Sequence, residues 1–363
     1  MHSPTRTFPL RRPLNHVPPV PRWQARFPDH REKVFTAYIG VQQHAGPGTG
    51  WHQCVTNIER SLSEGLLGAP ASVERFQLLG GDGAAESRVF VCYWDDEIKY
   101  QEATRRWSLT QWFYALDPSL RSTVGLWCER FTSSLTRLET NYSGTDYLPG
   151  LARLPDTTPE EHSYSAYWGA ARDRIPDSAV DQFDGEAGGP MLEPVAQSTD
   201  PHWIGTNRHN LVHIRSGQYW DNCGAEEKRS YEERLEPTLR QGLSYLWEHP
   251  VETGAMGVRY LANRPCPDSP PGNVSNESCV VGFFRSLAHL EAWAKGHPSH
   301  RAIYAGALRH AKAFGAQRRF RTWHEVSVLR GGDAQWEYLN CAPGTGMMAG
   351  ESGRGATATR DGH

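Results

Sequence analysis

The order of strand-like and helix-like stretches along the 363-residue chain is the feature that most limits its fold. Runs rich in β-branched and aromatic residues alternate with helical stretches, and the cycle occurs twice, on either side of a turn-rich stretch near 143–160. The first cycle predicts strands at 33–43, 87–94 and 122–132, with helices near 52–66 and 96–116. The second predicts strands at 163–169, 210–216, 278–284 and 319–329, with helices near 225–248 and 286–313. We therefore expect an α+β protein of two related halves.

The boundaries of these halves are predicted from composition. We expect a Pro-rich arm at 1–30, a first half at 31–155, a second half at 156–345 and a flexible Gly-rich tail at 346–363. The segments 180–209 and 262–277 lack periodicity and are interpreted as loops or disorder. The length suits one large or two ordinary domains with a sizeable core.

Short sequence matches support a relation between the halves. LWCER in the first half resembles TWHEV in the second, and VCYWDD resembles VGFFRS. In this alignment His324 corresponds to Cys128, and His300 corresponds to Thr110. The identity is thin, but it predicts that any site using both histidines belongs to the second half alone.

Composition excludes several classes of protein. Lys and Arg number 38 against 41 Asp and Glu, and no basic block is present, so nucleic acid is not an expected partner. The apolar runs are much shorter than the roughly 20 residues of a membrane helix, and the N-terminus lacks an apolar signal region. The seven cysteines are scattered without a CxxC pair, which disfavours a zinc ribbon or a disulfide scaffold. We expect a cytoplasmic protein with reduced thiols.

Two histidines of the second half are predicted to point inward. His300 begins an apolar stripe with the helical spacing of Ile303, Tyr304, Ala307, Leu308 and Ala311. His324 shares the more apolar face of its strand with Phe320, Thr322, Val326 and Val328. His297 precedes Pro298 and is interpreted as a turn or capping residue. An isolated inward histidine is more often a hydrogen-bonded core residue than a ligand, so both interpretations stay open at this stage.

The spacing of these histidines does not favour a zinc site, because zinc requires further ligands and no HExxH motif is present. A haem needs only one protein histidine, which leaves a second histidine available on the opposite face. Cys266, which precedes Pro267, is an alternative thiolate ligand, but its loop-like surroundings make it the less favoured choice.

With these residues in view, the chain resembles the haem-containing aldoxime dehydratases, bacterial enzymes that convert aldoximes to nitriles. The resemblance covers about 35–347 and rests on many ordered motifs: YIGVQQ, YWDD, ETNY, AYWGAARDRIP, NLVHIRSGQYW, LEAWAKGHPSHRAIY, TWHEVSVL and WEYLNCAPGTGM. It implies a fold of two ferredoxin-like halves related to the dimeric α/β-barrel haem proteins. It also implies haem b, with ferrous iron in the active form, and a homodimer.

The resemblance also implies roles for individual residues. His300 matches the proximal haem-iron ligand and His324 the distal catalytic histidine. Ser216 matches the distal serine, Glu139 the supporting carboxylate, and Arg174 the distal arginine. From the residues alone, Ser216 could merely bond a backbone carbonyl, and Arg174 and Glu139 could be surface charges.

The AYWGAARDRIP motif contains two arginines, and the family's distal arginine matches Arg174 rather than Arg172. This motif departs from the family pattern at Ala170-Ala171, where Ser-Met is usual. The loops near 180–209 and 311–320 also differ in length.

The implied reaction expels hydroxide from R–CH=N–OH and removes a carbon-bound proton. In the implied mechanism the oxime nitrogen binds ferrous haem and His324 transfers the protons. Ser216 and Arg174 donate hydrogen bonds to the oxime hydroxyl, while Glu139 orients the histidine. The alternatives are a haem peroxidase or peroxygenase, and a haem sensor or carrier on the same fold. A third alternative is a protein without a cofactor, in which both histidines are core residues.

Overall fold

The computed structural model describes residues 5–63, 65–81, 86–164, 168–189, 191–263 and 275–349. The strands are β1 (Trp23–Arg26), β2 (Lys33–Gln43), β3 (Ser72–Gly81), β4 (Glu86–Trp94), β5 (Val124–Ser134), β6 (Leu138–Tyr142), β7 (Thr158–Glu161), β8 (Met191–Pro194), β9 (His202–Thr206), β10 (Leu211–Tyr219), β11 (Ala255–Asn263), β12 (Glu277–Phe284), β13 (Arg321–Leu329) and β14 (Ala334–Leu339). The α-helices are α1 (Thr49–Ser61), α2 (Glu97–Arg106), α3 (Leu109–Tyr114), α4 (Pro118–Arg121), α5 (Ala225–Ser230), α6 (Glu236–Glu248), α7 (Pro250–Thr253), α8 (Leu287–Gly296) and α9 (Pro298–Phe314). Within these residues, no helix is both long and apolar enough to cross a lipid bilayer.

The strands form one antiparallel sheet that contains two cores of identical connectivity. The first core has the order β5-β2-β4-β3 and the second has the order β13-β10-β12-β11, so the chain visits both in the same sequence. Pairing of β3 with β11 joins the cores. β-Branched and aromatic residues are common in these strands, which favours extended backbone. The coarse prediction of an α+β protein with two repeated cycles is confirmed.

Strands from each half of the sequence extend the core of the other half. β6 pairs with β13, and β1 pairs with β6 and β7 beyond it. On the other side, β14 pairs with β5, and β9 and β8 follow. Each core is therefore hydrogen-bonded to strands from the other half of the sequence, and neither core is formed by one continuous segment alone.

Both faces of β13 are buried. One face packs on α6, α8 and α9 through an apolar cluster that includes Val326 and Val328. The opposite face carries Glu325 and Ser327, which face strands of the first core: Tyr93 donates to Glu325, and Ser133 donates to Ser327. The face predicted to be less apolar is thus interior as well, because the two cores enclose it.

The space between the cores holds paired charges. Arg215 Nη1 lies 2.5 Å from Glu74 Oε2 and 2.7 Å from the Tyr93 hydroxyl. Arg259 donates to both oxygens of Glu129, at 2.7 and 2.8 Å. Burial this complete requires such pairing, since an unpaired charge away from water is strongly destabilising.

The two cores also repeat a close contact between a tryptophan and a glycine. Trp127 lies opposite Gly40 in the first core, and Trp323 lies opposite Gly217 in the second. A Cβ atom at either glycine would overlap the indole ring. Buried arginines stack on both indoles, with guanidinium-to-ring distances of 4.0 and 4.7 Å. The thin sequence match between LWCER and TWHEV therefore coincides with matched packing.

Several predicted elements are wrong. The strand predicted at 163–169 is absent from its described residues: Ser163 and Tyr164 are irregular, and a 3-10 helix begins at Trp168. The loop predicted at 180–209 contains β8 and β9. The helix predicted at 96–116 is interrupted at Trp107, because Ser108 caps a new helix by accepting from the Gln111 amide.

The ends of the chain also differ from the predictions. The described part of the predicted arm, residues 5–30, packs on the protein and includes β1. At the other end, Gly346–Met348 form a 3-10 turn with Met347 buried, so the predicted flexible tail does not begin at 346. Residues 350–363, which make up the rest of that prediction, lie outside the described residues.

Candidate active site

His324 stands at the centre of a row of polar side chains across three strands. Ser216 of β10 is directly opposite His324 of β13 on one side, and Asn141 of β6 is directly opposite on the other. Directly opposite residues share a face of a sheet, with Cβ atoms about 4.5–5.5 Å apart. This is the face covered by α8 and α9. The structure therefore brings His324 and Ser216 together, as the sequence analysis predicted.

A buried ion pair adjoins this row. Arg174 donates from Nε and Nη2 to the two carboxylate oxygens of Glu139, at 2.9 and 3.0 Å. The Nε2 atom of His324 lies 2.9 Å from Glu139 Oε1 and 3.4 Å from Arg174 Nη2. The side chains of Arg174 and Glu139 are each only 1% exposed. The predicted residues Glu139, Arg174 and His324 therefore form one contact cluster.

The 3-10 helix Trp168–Arg174 directs three consecutive residues to three different elements. Arg172 binds Glu291 of α8 through two contacts of 2.9 Å. Asp173 accepts the backbone amides of Arg11 and Arg12, both at 2.9 Å, and so holds the N-terminal arm. Of the two arginines in the motif, Arg174 is the one that reaches His324.

Charge interactions set the protonation of this cluster. Burial alone would raise the pKa of Glu139, but Arg174 and His324 outweigh it and lower the pKa to about 2. Burial lowers the pKa of His324 below its usual value, although Glu139 acts in the opposite direction. The cluster at neutral pH thus combines an ionised carboxylate with a histidine that is mainly neutral.

His300 lies in the first turn of α9. Pro298 occupies the start of this helix, where the missing N–H is not needed, and the His297 side chain accepts the Ser299 amide. His297 is therefore a capping residue, as predicted. His300 is 8% exposed, and its ring meets Trp293 edge-on at 4.7 Å.

The electrostatic environment of His300 suits a metal ligand. Burial lowers its pKa to about 4; a hydrogen bond to the Ala294 backbone opposes the shift, and His324 adds to it. The imidazole is therefore neutral at physiological pH, which is the form that binds a metal. The interaction with His324 also indicates that His300 of α9 and His324 of β13 lie in the same region.

These residues fit a haem better than a bare metal ion. The described part of the chain contains no cluster of three or more His, Cys, Asp or Glu side chains able to hold a metal. Haem needs one axial protein ligand, and His300 can provide it. Asn141 is 1% exposed, yet both its amide atoms lack partners among the described residues, as expected beside a bound polar molecule. Cys266, the alternative ligand, lies outside the described residues.

Three further residues border this region and were not predicted. Asn141 follows Glu139 by two positions, so strand alternation could have identified it. Arg22 contacts Thr322, with Nη1 3.5 Å from its hydroxyl, and His162 interacts electrostatically with Arg174, Glu139 and His324. Both are remote in sequence and reach the site only through the pairing of β1 with β6 and β7.

The buried, neutral His300 and the carboxylate-bound His324 suit a haem site, and sequence comparison identifies the family. Residues 37–347 match the family described as "Haem-containing dehydratase", to which the chain therefore belongs. It is 31% identical to the phenylacetaldoxime dehydratase of Bacillus sp. (strain OxB-1), with 93% of each chain covered. It is 30% identical to the aliphatic aldoxime dehydratase of Pseudomonas chlororaphis, with 94% of each chain covered.

Solved structures of aldoxime dehydratases are similar to this chain over nearly its whole length. A crystal structure of an aldoxime dehydratase superposes with a TM-score of 0.83 at 28% identity, covering 96% of each chain. An aldoxime dehydratase in complex with butyraldoxime superposes with a TM-score of 0.81 at 27% identity, covering 96% of this chain and 94% of the other.

Proposed function

We propose that this protein is a haem-dependent aldoxime dehydratase that converts R–CH=N–OH to a nitrile and water. The observation that carries this proposal is the Glu139–Arg174–His324 cluster, which lies beside Ser216 and opposite the buried His300. Membership of the haem-containing dehydratase family and the names of the relatives support it.

The reaction breaks an N–O bond and a C–H bond. The hydroxide leaving group needs a proton, and the carbon-bound hydrogen must be removed by a base. A haem held by His300 would supply an iron able to bind the oxime nitrogen and to donate electron density to the N–O bond. The remaining chemistry is proton transfer by side chains of this chain.

We assign the proton transfers to His324. The protonated imidazole gives a proton to the departing oxygen and, once neutral, accepts the proton from carbon, so the residue returns to its initial state. Because Nε2 is bound to Glu139, this exchange is assigned to Nδ1. Ser216 donates to the oxime hydroxyl and holds it toward His324.

Glu139 and Arg174 are assigned as positioning residues. Glu139 fixes the orientation of the imidazole and stabilises its protonated form, as in other carboxylate–histidine pairs. Arg174 binds Glu139 through two contacts, so its action is assigned through that carboxylate. The sequence also predicts that Arg174 donates to the oxime hydroxyl, and this role remains a prediction.

Paired histidine variants test the function. His300→Ala is expected to lose haem, whereas His324→Ala is expected to keep haem and lose nitrile formation. His297→Ala is the matched control, because this neighbouring histidine caps α9 and faces Tyr245 at a ring distance of 3.8 Å. The measurements are haem content, ferric and dithionite-reduced spectra with and without butyraldoxime, and nitrile yield.

Two results would refute these assignments. Full haem occupancy in His300→Ala would show that another residue ligates the iron. Unchanged nitrile formation by His324→Ala would remove this residue from the mechanism. Turnover with hydrogen peroxide from the ferric state, without nitrile formation from the reduced state, would favour the peroxidase alternative.

We also propose the finer architecture predicted from sequence. The halves 31–155 and 156–345 are assigned as ferredoxin-like units, with the haem ligand in the second. The common order of the two strand cores supports this assignment. A homodimer and a cytoplasmic location remain predictions; sedimentation equilibrium and cell fractionation would test them.

A further inference from the structure

We propose that Arg22 is a carboxylate-binding residue of the haem pocket and that it pairs with a haem propionate. The proposal relies on the haem assignment but not on the aldoxime reaction. Arg22 immediately precedes β1, at the edge of the second core, and its carbonyl accepts the amide of His162.

The guanidinium of Arg22 lies on the face of the sheet that carries the candidate active site. Its Nη1 atom is 3.5 Å from the hydroxyl of Thr322. Thr322 precedes His324 by two residues in β13, so both side chains share a face and lie about 7 Å apart along the strand. Arg22 thus contacts the face of β13 that carries His324, at the position two residues before it.

The helix on the opposite side also approaches Arg22. Tyr304 of α9 interacts electrostatically with Arg22. Tyr304 follows His300 by four residues and therefore lies on the same helix face, about 6 Å further along the axis. Arg22 accordingly lies near both β13 and α9. It meets the strand two residues from His324 and the helix four residues from His300.

The surroundings of Arg22 favour an anion. Its Nε atom is shielded from solvent and has no hydrogen-bond acceptor among the described residues. Burial is the largest cause that lowers the pKa of Arg22 to about 10, and its cationic neighbours Arg318 and Arg174 contribute in the same direction. Arg174 is neutralised by Glu139, but the described part of the chain provides no carboxylate for Arg22. Arg22 is partly buried, and a guanidinium shielded from water without a carboxylate partner favours a bound anion.

A haem propionate has the chemistry that this position requires. Haem b carries two carboxylates at one edge of an otherwise apolar ring, and a guanidinium binds carboxylates through paired, charge-assisted hydrogen bonds. The apolar residues under α8 and α9 adjoin the row of His324 and would contact the apolar ring, and Arg22 would bind a carboxylate. A substrate carboxylate would have the same chemistry, so the test must separate the two sources.

A haem ester provides the test. We would measure the rate at which haem, or haem with both propionates converted to methyl esters, transfers from the full-length protein to excess apomyoglobin. Arg22→Gln is expected to release haem about 10- to 100-fold faster, as follows from the loss of a charged hydrogen bond. It should change release of the ester by less than threefold, whereas Arg22→Lys should be intermediate for haem.

Arg26→Gln is the matched control, since Arg26 is in the adjoining strand but pairs with Glu160 at the surface. Its haem release should equal that of the unaltered protein. Equal acceleration of haem and ester release by Arg22→Gln would show a structural role and overturn the proposal. Unchanged haem release, with a raised KM for a carboxylate-bearing aldoxime, would overturn it in favour of a substrate carboxylate. If the unaltered protein binds haem but forms no nitrile, the proposed reaction fails while this release experiment still decides the role of Arg22.

Discussion

Replacing Glu139 by glutamine removes the charge that joins Arg174 to His324. The carboxylate has a pKa of about 2 in the folded protein against an ordinary value of 4.5. Its ionised form therefore stabilises the fold above pH 4.5, and this contribution disappears as the pH falls toward 2. A shift of about 2.5 units corresponds to about 3 kcal/mol of unfolding free energy at neutral pH.

The structure supports a loss of this size. Glu139→Gln leaves Arg174 buried with an amide in place of its carboxylate, and breaking a buried ion pair costs about 3–5 kcal/mol. At about 2.1 cal/mol/K of unfolding entropy per residue, a loss of about 3 kcal/mol in a chain of 363 residues lowers Tm by about 4 °C.

A double-mutant cycle measures the pair directly. Chemical denaturation of Glu139→Gln, Arg174→Gln and the double variant should give a coupling energy of about 2 kcal/mol or more, because the second substitution has no ion pair left to break. If the two losses simply add within about 0.5 kcal/mol, the ion pair does not stabilise the fold as described.

The same variant has a kinetic signature. Glu139 raises the pKa of His324, so its removal must lower that pKa. Since the first proton transfer requires protonated His324, the decline of kcat with rising pH should move to lower pH in Glu139→Gln. An unchanged pH profile would show that Glu139 does not act through His324.

Three further substitutions test single features of the site. Ser216→Ala should lower kcat about 100-fold with the haem spectrum unchanged, because one donor to the leaving oxygen is lost; a change below threefold in a nitrile assay would contradict this role. Asn141→Leu should raise the unfolding free energy of the haem-free protein by about 1 kcal/mol, since it removes a buried amide without partners. A fall in stability would count against this account. Asp173→Ala should release the N-terminal arm and speed proteolysis within residues 5–16; cleavage at the original rate would show that other contacts suffice.

Periodicity identified the two histidines because it reports side-chain direction. The apolar stripe of α9 placed His300 inside, and alternation in β13 placed His324 on the face covered by helices, as the structure has them. Periodicity could not show what lies opposite a residue. The burial of Glu325 on the other face results from the first core closing over it, a contact between strands far apart in sequence.

Local rules also failed where the backbone is irregular. In the segment Trp168–Arg174, a 3-10 helix turns by one third of a revolution per residue, so Arg172, Asp173 and Arg174 point in three directions. No strand or α-helix pattern predicts that arrangement, and only the family resemblance distinguished Arg174 from Arg172. Arg22 could not be predicted, because its neighbours are set by pairing of β1 with β6.

Adjacent residues of β13 face two different environments: His324 faces the helices and Glu325 faces the first core. This limits how β13 can be aligned with its neighbouring strands. A slip of one residue would turn Glu325 toward the helices and His324 toward Tyr93 and Arg215, since strand side chains alternate. Glu325 would then lose the hydrogen bonds that it accepts from Tyr93 and from the Leu151 amide, and a buried polar group left without partners is destabilising. The hydrogen bonds of Glu325 therefore favour one alignment of β13, and that alignment is also the one that places His324 directly opposite Ser216.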